Sequence, residues 1–152
     1  MPYYYLDSSA LAKAYVLEPG TSRIEQLIQN EALVVSSLVY VELASVFARR
    51  SREGRLSDAL RVHLYQRLAS DLGGFDVIEA SDRILIAAAR RMIERPDIVV
   101  RAADAIHLAT AEQSFILARQ AGVTDCVFVC ADRRLSDAAR AVGLTVEDPS
   151  AH

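Results

Sequence analysis

Four carboxylates, far apart in the chain and each set in a strongly apolar run, are the residues best placed to do chemistry. They are Asp7 in YYYLDSSAL, Glu42 in SLVYVELASV, Asp104 in RAADAIHLATA and Asp132 in VFVCADRRL. A lone buried carboxylate is costly, and carboxylates brought together repel one another unless protons or cations compensate them. The simplest compensating partner for an all-oxygen cluster is a hard divalent cation, Mg²⁺ or Mn²⁺. Such a cluster points to a metal-dependent enzyme acting on phosphate esters. Glu42 or Asp104 taken singly reads equally well as a helix-cap or buried salt-bridge acid. The four together favour one metal pocket.

The neighbours of these acids have more ordinary readings. Ser9, two residues after Asp7, is either a hydroxyl bonded to a pocket carboxylate or a common first-turn serine. His107 reads as a packed, hydrogen-bonded helix histidine rather than a ligand, because hard cations prefer oxygen. Tyr3, Tyr4 and Tyr5 read as core and edge packing ahead of base stacking. Of 17 basic residues, 16 are Arg and only Lys13 is Lys. Arg49, Arg50, Arg52 and Arg55 cluster, and Arg133 and Arg134 follow Asp132. Arginine forks suit phosphate, so these segments are candidates for a basic rim around an acidic pocket, with a solvated helix face as the alternative.

The elements that must position these groups follow from periodicity. Tyr3 to Leu6 predicts a strand, and Ser8 and Ser9 start a helix that continues from Ala10 to Leu17 and breaks at Pro19-Gly20. A helix is expected from Thr21 to Gln29, a buried strand from Ala32 to Val35, and a helix through Arg52 capped by Ser36 or Ser37. Further helices are expected from Ser57 to Asp71, from Ser81 or Asp82 to Glu94, over residues 102 to 120 and from Arg133 to Ala141. Strands are expected at Phe75 to Ile78, Cys126 to Cys130 and Leu144 to Glu147. Residues 1–147 form one domain, and the tail 148–152 is expected to fray. Apolar strands alternating with helices give an α/β architecture with a parallel sheet covered on both faces.

That architecture explains how the acids meet. Ligands of open parallel sheets bind beyond the carboxyl ends of the strands. Asp7 and Asp132 follow their strands at that end, whereas Asp125 lies at the opposite end and is a weak candidate. Glu42 and Asp104 sit near helix starts, with Val39, Glu42 and Val46 on one face and Asp104, His107, Leu108 and Ala111 on another.

Composition bounds the rest. The chain has 152 residues, 52% of them hydrophobic, enough for one folded domain. Its net charge of −3 excludes a globally basic nucleic-acid binder. No apolar run approaches the ~20 residues of a membrane span, and MPYYYLDSS lacks a signal-peptide pattern. A cytoplasmic protein without membrane association is the expectation. Cys126 and Cys130 would lie about 13 Å apart along one strand, too far for a disulfide, and read as buried free thiols.

The DSSAL, YVELAS, RAADAIHLATA and CADRRL segments, in this order and spacing over essentially the whole chain, resemble PIN-domain ribonucleases, in particular the VapC-type toxins of toxin–antitoxin pairs. The resemblance implies a three-layer α/β/α, Rossmann-like fold with a central mostly parallel sheet, and a metal-dependent endoribonuclease using Mg²⁺ (or Mn²⁺) that leaves 5′-phosphate and 3′-hydroxyl ends. It implies Asp7, Glu42, Asp104 and Asp132 as the metal-binding, catalytic acids, with Ser9 as a supporting polar residue. It also implies an RNA substrate, a small antitoxin covering the pocket, and a homodimer. Cys130 departs from the pattern: relatives often carry Ser or Thr two residues before the last acid, so support for Asp132 is expected to weaken. Two rivals stand beside this reading. An aspartate-nucleophile phosphatase would need an acid at D-x-D spacing, where this chain has Ser9. A non-catalytic RNA- or protein-binding module would have no use for all four acids.

Overall fold

The computed structural model describes residues 1–152. Five strands, β1 (Tyr3–Leu6), β2 (Ala32–Ser36), β3 (Asp76–Ile78), β4 (Cys126–Val129) and β5 (Thr145–Glu147), form a parallel sheet. Its order is β3-β2-β1-β4-β5. The chain moves outward from β1 through β2 and β3, then returns to β1's other edge with β4 and β5. The sheet's switch point therefore lies between β1 and β4, where Tyr3 to Leu6 pair with Cys126 to Val129. A crevice opens there at the carboxyl ends of the strands.

Seven helices cover the sheet: α1 (Ser8–Leu11), α2 (Thr21–Asn30), α3 (Val39–Arg52), α4 (Asp58–Leu72), α5 (Asp82–Glu94), α6 (Ala102–Gln120) and α7 (Arg133–Ala141). Alternation along the strands divides the core. Tyr4, Leu6, Leu33, Val35 and Val129 pack on one face with Leu11, Ile24, Leu43, Phe47 and Leu68 from α1 to α4. Tyr5, Val34, Phe128 and Cys130 pack on the other with Leu108, Phe115 and Leu135 from α6 and α7. A smaller cluster of Ile84, Ala88, Ala105 and Ala109 joins α5 to α6. The expected three-layer α/β/α arrangement is present. Cys126 and Cys130 are buried and free.

Several local expectations change. The first helix ends at Leu11 and passes into a 3₁₀ turn at Ala12–Ala14. This tighter path buries Ala14 and Tyr15 ahead of Pro19, which cannot continue a helix. Neither Ser36 nor Ser37 caps α3. Ser36 Oγ instead accepts from Leu38 N, and Ser37 Oγ accepts from Ala80 N, tying the ends of β2 and β3 together.

The C-terminal segment is packed rather than frayed. Asp148 accepts from Ser150 N and starts a 3₁₀ turn at Pro149–Ala151. Pro149 is buried, and Ser150 Oγ donates to Pro19 O. Gly20, at φ +96°, is pressed so close to this turn that an added Cβ would lie 2.8 Å from Pro149 C and O. These contacts supply the burial and hydrogen bonds whose absence makes tails fray.

Candidate active site

At the crevice the sheet delivers Asp7 from the end of β1 and Asp132 from just beyond β4, while α3 and α6 bring Glu42 and Asp104 in their first turns. All four line one cleft of about 650 Å³. Three of them also hold helix starts. Asp7 accepts from Ala10 N, Asp132 accepts from Leu135 N, and Asp104 accepts from Arg101 N in a reciprocal cap of α6. The cap reading and the pocket reading therefore describe the same side chains: free N–H groups at the helix starts hold the carboxylates.

Asp7 is the most enclosed acid, only 3% exposed. Ser9 Oγ donates to it, 2.8 Å from both Oδ1 and Oδ2, and also accepts from Ala131 N, joining the ends of β1 and β4. The Cys130 thiol lies 3.3 Å from Asp7 Oδ2 and 3.3 Å from the backbone oxygen of Asp132. The thiol thus supports Asp7, not the Asp132 carboxylate, because Cys130 still belongs to the inward-facing row of β4. Burial raises the Asp7 pKa, and the charge of His107 with the bonds from Ala10, Ser9 and Cys130 only partly opposes this. Burial likewise pushes the Cys130 thiol well up, helped by the Asp7 charge.

Glu42 has different company. Its Oε1 lies 2.7 Å from His107 Nε2, and it accepts a 2.7 Å bond from Ser8 Oγ. His107 is 1% exposed, and its Nδ1 lies 2.7 Å from Tyr5 Oη. Burial opposes ionisation of Glu42, but the bond and charge of His107, with Ser8, outweigh it and lower its pKa. Burial also opposes protonation of His107, yet Glu42, Asp7 and Asp104 together raise its pKa. His107 is packed and hydrogen-bonded, as its helical spacing suggests, and its partner is one of the four acids.

Asp104 and Asp132 share a cation from within the chain. Arg101 places Nε 3.6 Å from Asp104 Oδ2 and Nη2 3.4 Å from Asp132 Oδ2. With these partners engaged, no three acids converge on one point at metal-ligating distance. The cleft is also lined by Lys13, Arg49 and Arg50, so a basic rim exists. Arg52, Arg55, Arg133 and Arg134 do not line it; the last two face a separate cavity beside Asp97 and Asp137.

Sequence reasoning missed Ser8, Tyr5 and Arg101. Ser8 carried no signal beyond adjacency to Asp7, and Tyr5 was masked by its two tyrosine neighbours. Arg101 had a visible cue: it stands three residues before Asp104, the spacing of a helix cap pair.

The PIN domain family model matches residues 4–141. Ribonuclease VapC47 of Mycobacterium tuberculosis is 30% identical over 152 residues, covering 97% of each chain. FitAcB from Neisseria gonorrhoeae has a similar fold, with a TM-score of 0.68 at 19% identity, covering 96% of this chain and 97% of that one. A toxin-antitoxin complex from Klebsiella pneumoniae gives 0.61 at 17% identity, covering 96% of this chain and 97% of that one. A switch-point crevice that gathers four acids agrees with a family match across most of the length: the chain belongs to the PIN-domain family.

Proposed function

We propose that the protein is a metal-dependent endoribonuclease, the toxin of a VapBC-type toxin–antitoxin pair. The observation that carries this reading is the gathering of Asp7, Glu42, Asp104 and Asp132 on one cleft at the sheet's switch point. A relative 30% identical over 97% of this chain is itself a ribonuclease. The donor set is all oxygen and strongly anionic, which suits a hard cation such as Mg²⁺ or Mn²⁺ in kind. Asp7 and Asp104 would be its principal ligands, with Glu42 and Asp132 completing the site directly or through water.

A bound divalent cation supplies activation of water and neutralises charge on the phosphate. The chain does the rest. Ser9, Ala10 N and Cys130 fix the Asp7 carboxylate so that it need not reorganise. Tyr5 and His107 hold Glu42 with its Oε1 facing a proton-bearing nitrogen, a place where a proton can be kept or passed. Arg101 lies beside Asp104 and Asp132 and partly offsets their charge, and its guanidinium suits a phosphate oxygen. Attack of water on phosphorus expels the 3′ oxygen, giving 5′-phosphate and 3′-hydroxyl ends. Single-stranded or loop RNA fits such a cleft better than a duplex.

The proposed partner is a small antitoxin that covers the cleft, in line with the likeness to a toxin-antitoxin complex. A homodimer is proposed as well: α5 and α6 leave Ile86, Ile93, Ile116 and Leu117 exposed. No helix is long and apolar enough to cross a membrane, and the cytoplasm is the proposed setting.

The test is cleavage of a pooled structured RNA by antitoxin-free protein in Mg²⁺, Mn²⁺ or EDTA, beside Asp7→Asn and Asp104→Asn. Cleavage that requires metal and falls at least a hundredfold in both variants is expected. Equal cleavage by wild type and both variants would overturn the site.

A further inference from the structure

The carboxylates occupy one part of the cleft; another part is basic. Along α3, Glu42, Ser45, Val46 and Arg49 recur at i, i+3, i+4 and i+7, and all four line the cleft. Arg49 thus stands two turns beyond Glu42, about 10 Å along the helix axis. Arg50 follows it, and Lys13 reaches the same wall from the 3₁₀ turn after α1. Both are held by Glu18: Lys13 Nζ lies 3.2 Å from Oε2, and Arg50 Nη2 lies 2.6 Å from Oε1.

This arrangement is costly for a structural tie alone. Lys13 is the only lysine of the chain and is just 6% exposed. An ammonium carries three protons to satisfy, and Glu18 accepts one of them. Glu18 holds Lys13 and Arg50 side by side against their mutual repulsion. Three cations (Lys13, Arg49 and Arg50) against the one carboxylate of Glu18 leave the wall with a net charge of +2. Arg101, the remaining cation of the cleft, is already engaged by Asp104 and Asp132. Phosphate oxygens meet the unmet need of this wall, because they accept from ammonium and guanidinium groups alike.

We propose that Lys13, Arg49 and Arg50, positioned by Glu18, form a binding subsite for a backbone phosphate of the RNA, next to the carboxylate cluster. The subsite rests on the ribonuclease reading, because only a polyanion presents a second phosphate when one lies at the acids. It also resolves an electrostatic conflict. Four acids repel a nucleic-acid strand, and the adjoining wall draws the strand back without placing a further cation among the acids. Glu18 acts through the two cations and is a positioning residue.

The test is equilibrium binding of a fluorescein-labelled, random-sequence single-stranded RNA, read by anisotropy in Mg²⁺ over a salt series. The full chain carries Asp7→Asn to suppress cleavage. Adding Arg49→Gln is expected to weaken binding three- to tenfold, and to reduce the slope of log affinity against log salt by about 0.7, one single-strand phosphate contact. Arg50→Lys, which keeps the charge and loses the fork, is expected to fall between. In the Asp7-containing protein, Mn²⁺ affinity measured by the EPR signal of the free ion stays within twofold on Arg49→Gln, separating this subsite from the acids. Lys13→Gln risks the fold because the side chain is buried, so the exposed Arg49 decides the matter. A folded Arg49→Gln, Arg50→Gln double variant with unchanged RNA affinity and salt slope overturns the subsite and leaves the ribonuclease reading intact. If the Asp7→Asn parent binds no RNA and the wild type cleaves none, the ribonuclease reading falls and takes the subsite with it.

Discussion

Asp7 and Glu42 face the same cleft with pKa values shifted in opposite directions. Burial raises the Asp7 pKa despite its donors, whereas His107 and Ser8 lower that of Glu42 despite burial. The Glu42–His107 pair therefore links stability to pH in the metal-free protein. A lowered carboxyl contributes stability that is present above its ordinary 4.5 and lost as pH falls through its folded value. A raised imidazole contributes stability that is present below its ordinary 6.5 and lost as pH rises through its folded value. In EDTA, the difference in urea midpoint between wild type and Glu42→Gln should be largest between about pH 4.5 and 6.5 and shrink on either side. A difference that ignores pH would show that the pair is not charged as described. Cys130 gives a second residue-scale expectation. A hydroxyl is the better donor to Asp7, so Cys130→Ser should tighten Mn²⁺ binding by about two- to fivefold, the equivalent of about 0.5–1 kcal/mol. Weaker binding in a correctly folded Cys130→Ser protein would mean that the thiol's size, not its bond, sets Asp7.

Helix starts do double service in this molecule, and that separates two kinds of substitution. Asp132 caps α7 while facing the cleft. Asparagine caps as well as aspartate does, whereas alanine at such a position costs about 1 kcal/mol. Asp132→Asn should therefore keep the wild-type thermal midpoint and Asp132→Ala should lower it, while both weaken Mn²⁺ binding. Equal midpoints in differential scanning calorimetry would show that the cap contributes nothing. The same duality explains what was legible in the sequence. Acids in apolar runs after strands, and near the starts of helices, announced the cleft. Helix α6 and the strands β1 and β4 were readable because their apolar periodicities are unbroken. The 3₁₀ turn after α1, and the serines that tie β2 to β3 instead of capping α3, were not readable. Their partners, Ala80 among them, come from other parts of the fold. Glu18 was overlooked for the same reason: it gains meaning only from Lys13 and Arg50, which folding brings to it.

At the scale of the whole molecule, both ends of the chain are secured. The N-terminal strand is central in the sheet, and the C-terminal turn is pressed on Gly20 and Pro19. Arg23 reinforces the closure by pairing with Glu147 through Nε at 2.6 Å and Nη2 at 3.1 Å. Gly20→Ala combines a positive φ with a collision against Pro149 backbone, so it should destabilise the fold by about 1–3 kcal/mol. It should also expose residues 148–152 to carboxypeptidase. Digestion no faster than in wild type would show that this contact does not hold the tail.

The position of β1 bears on synthesis. One edge of β1 is matched by β2 early in the chain, but the other waits for residues 126–129. Asp132 and the Ala131 N–H that seats Ser9 arrive with that same late strand. A nascent chain emerging from the ribosome therefore has an open sheet edge and an unfinished cleft until residues 126–132 have been made. N-terminal fragments released by stalled translation would be harmless to RNA, though adhesive along that edge.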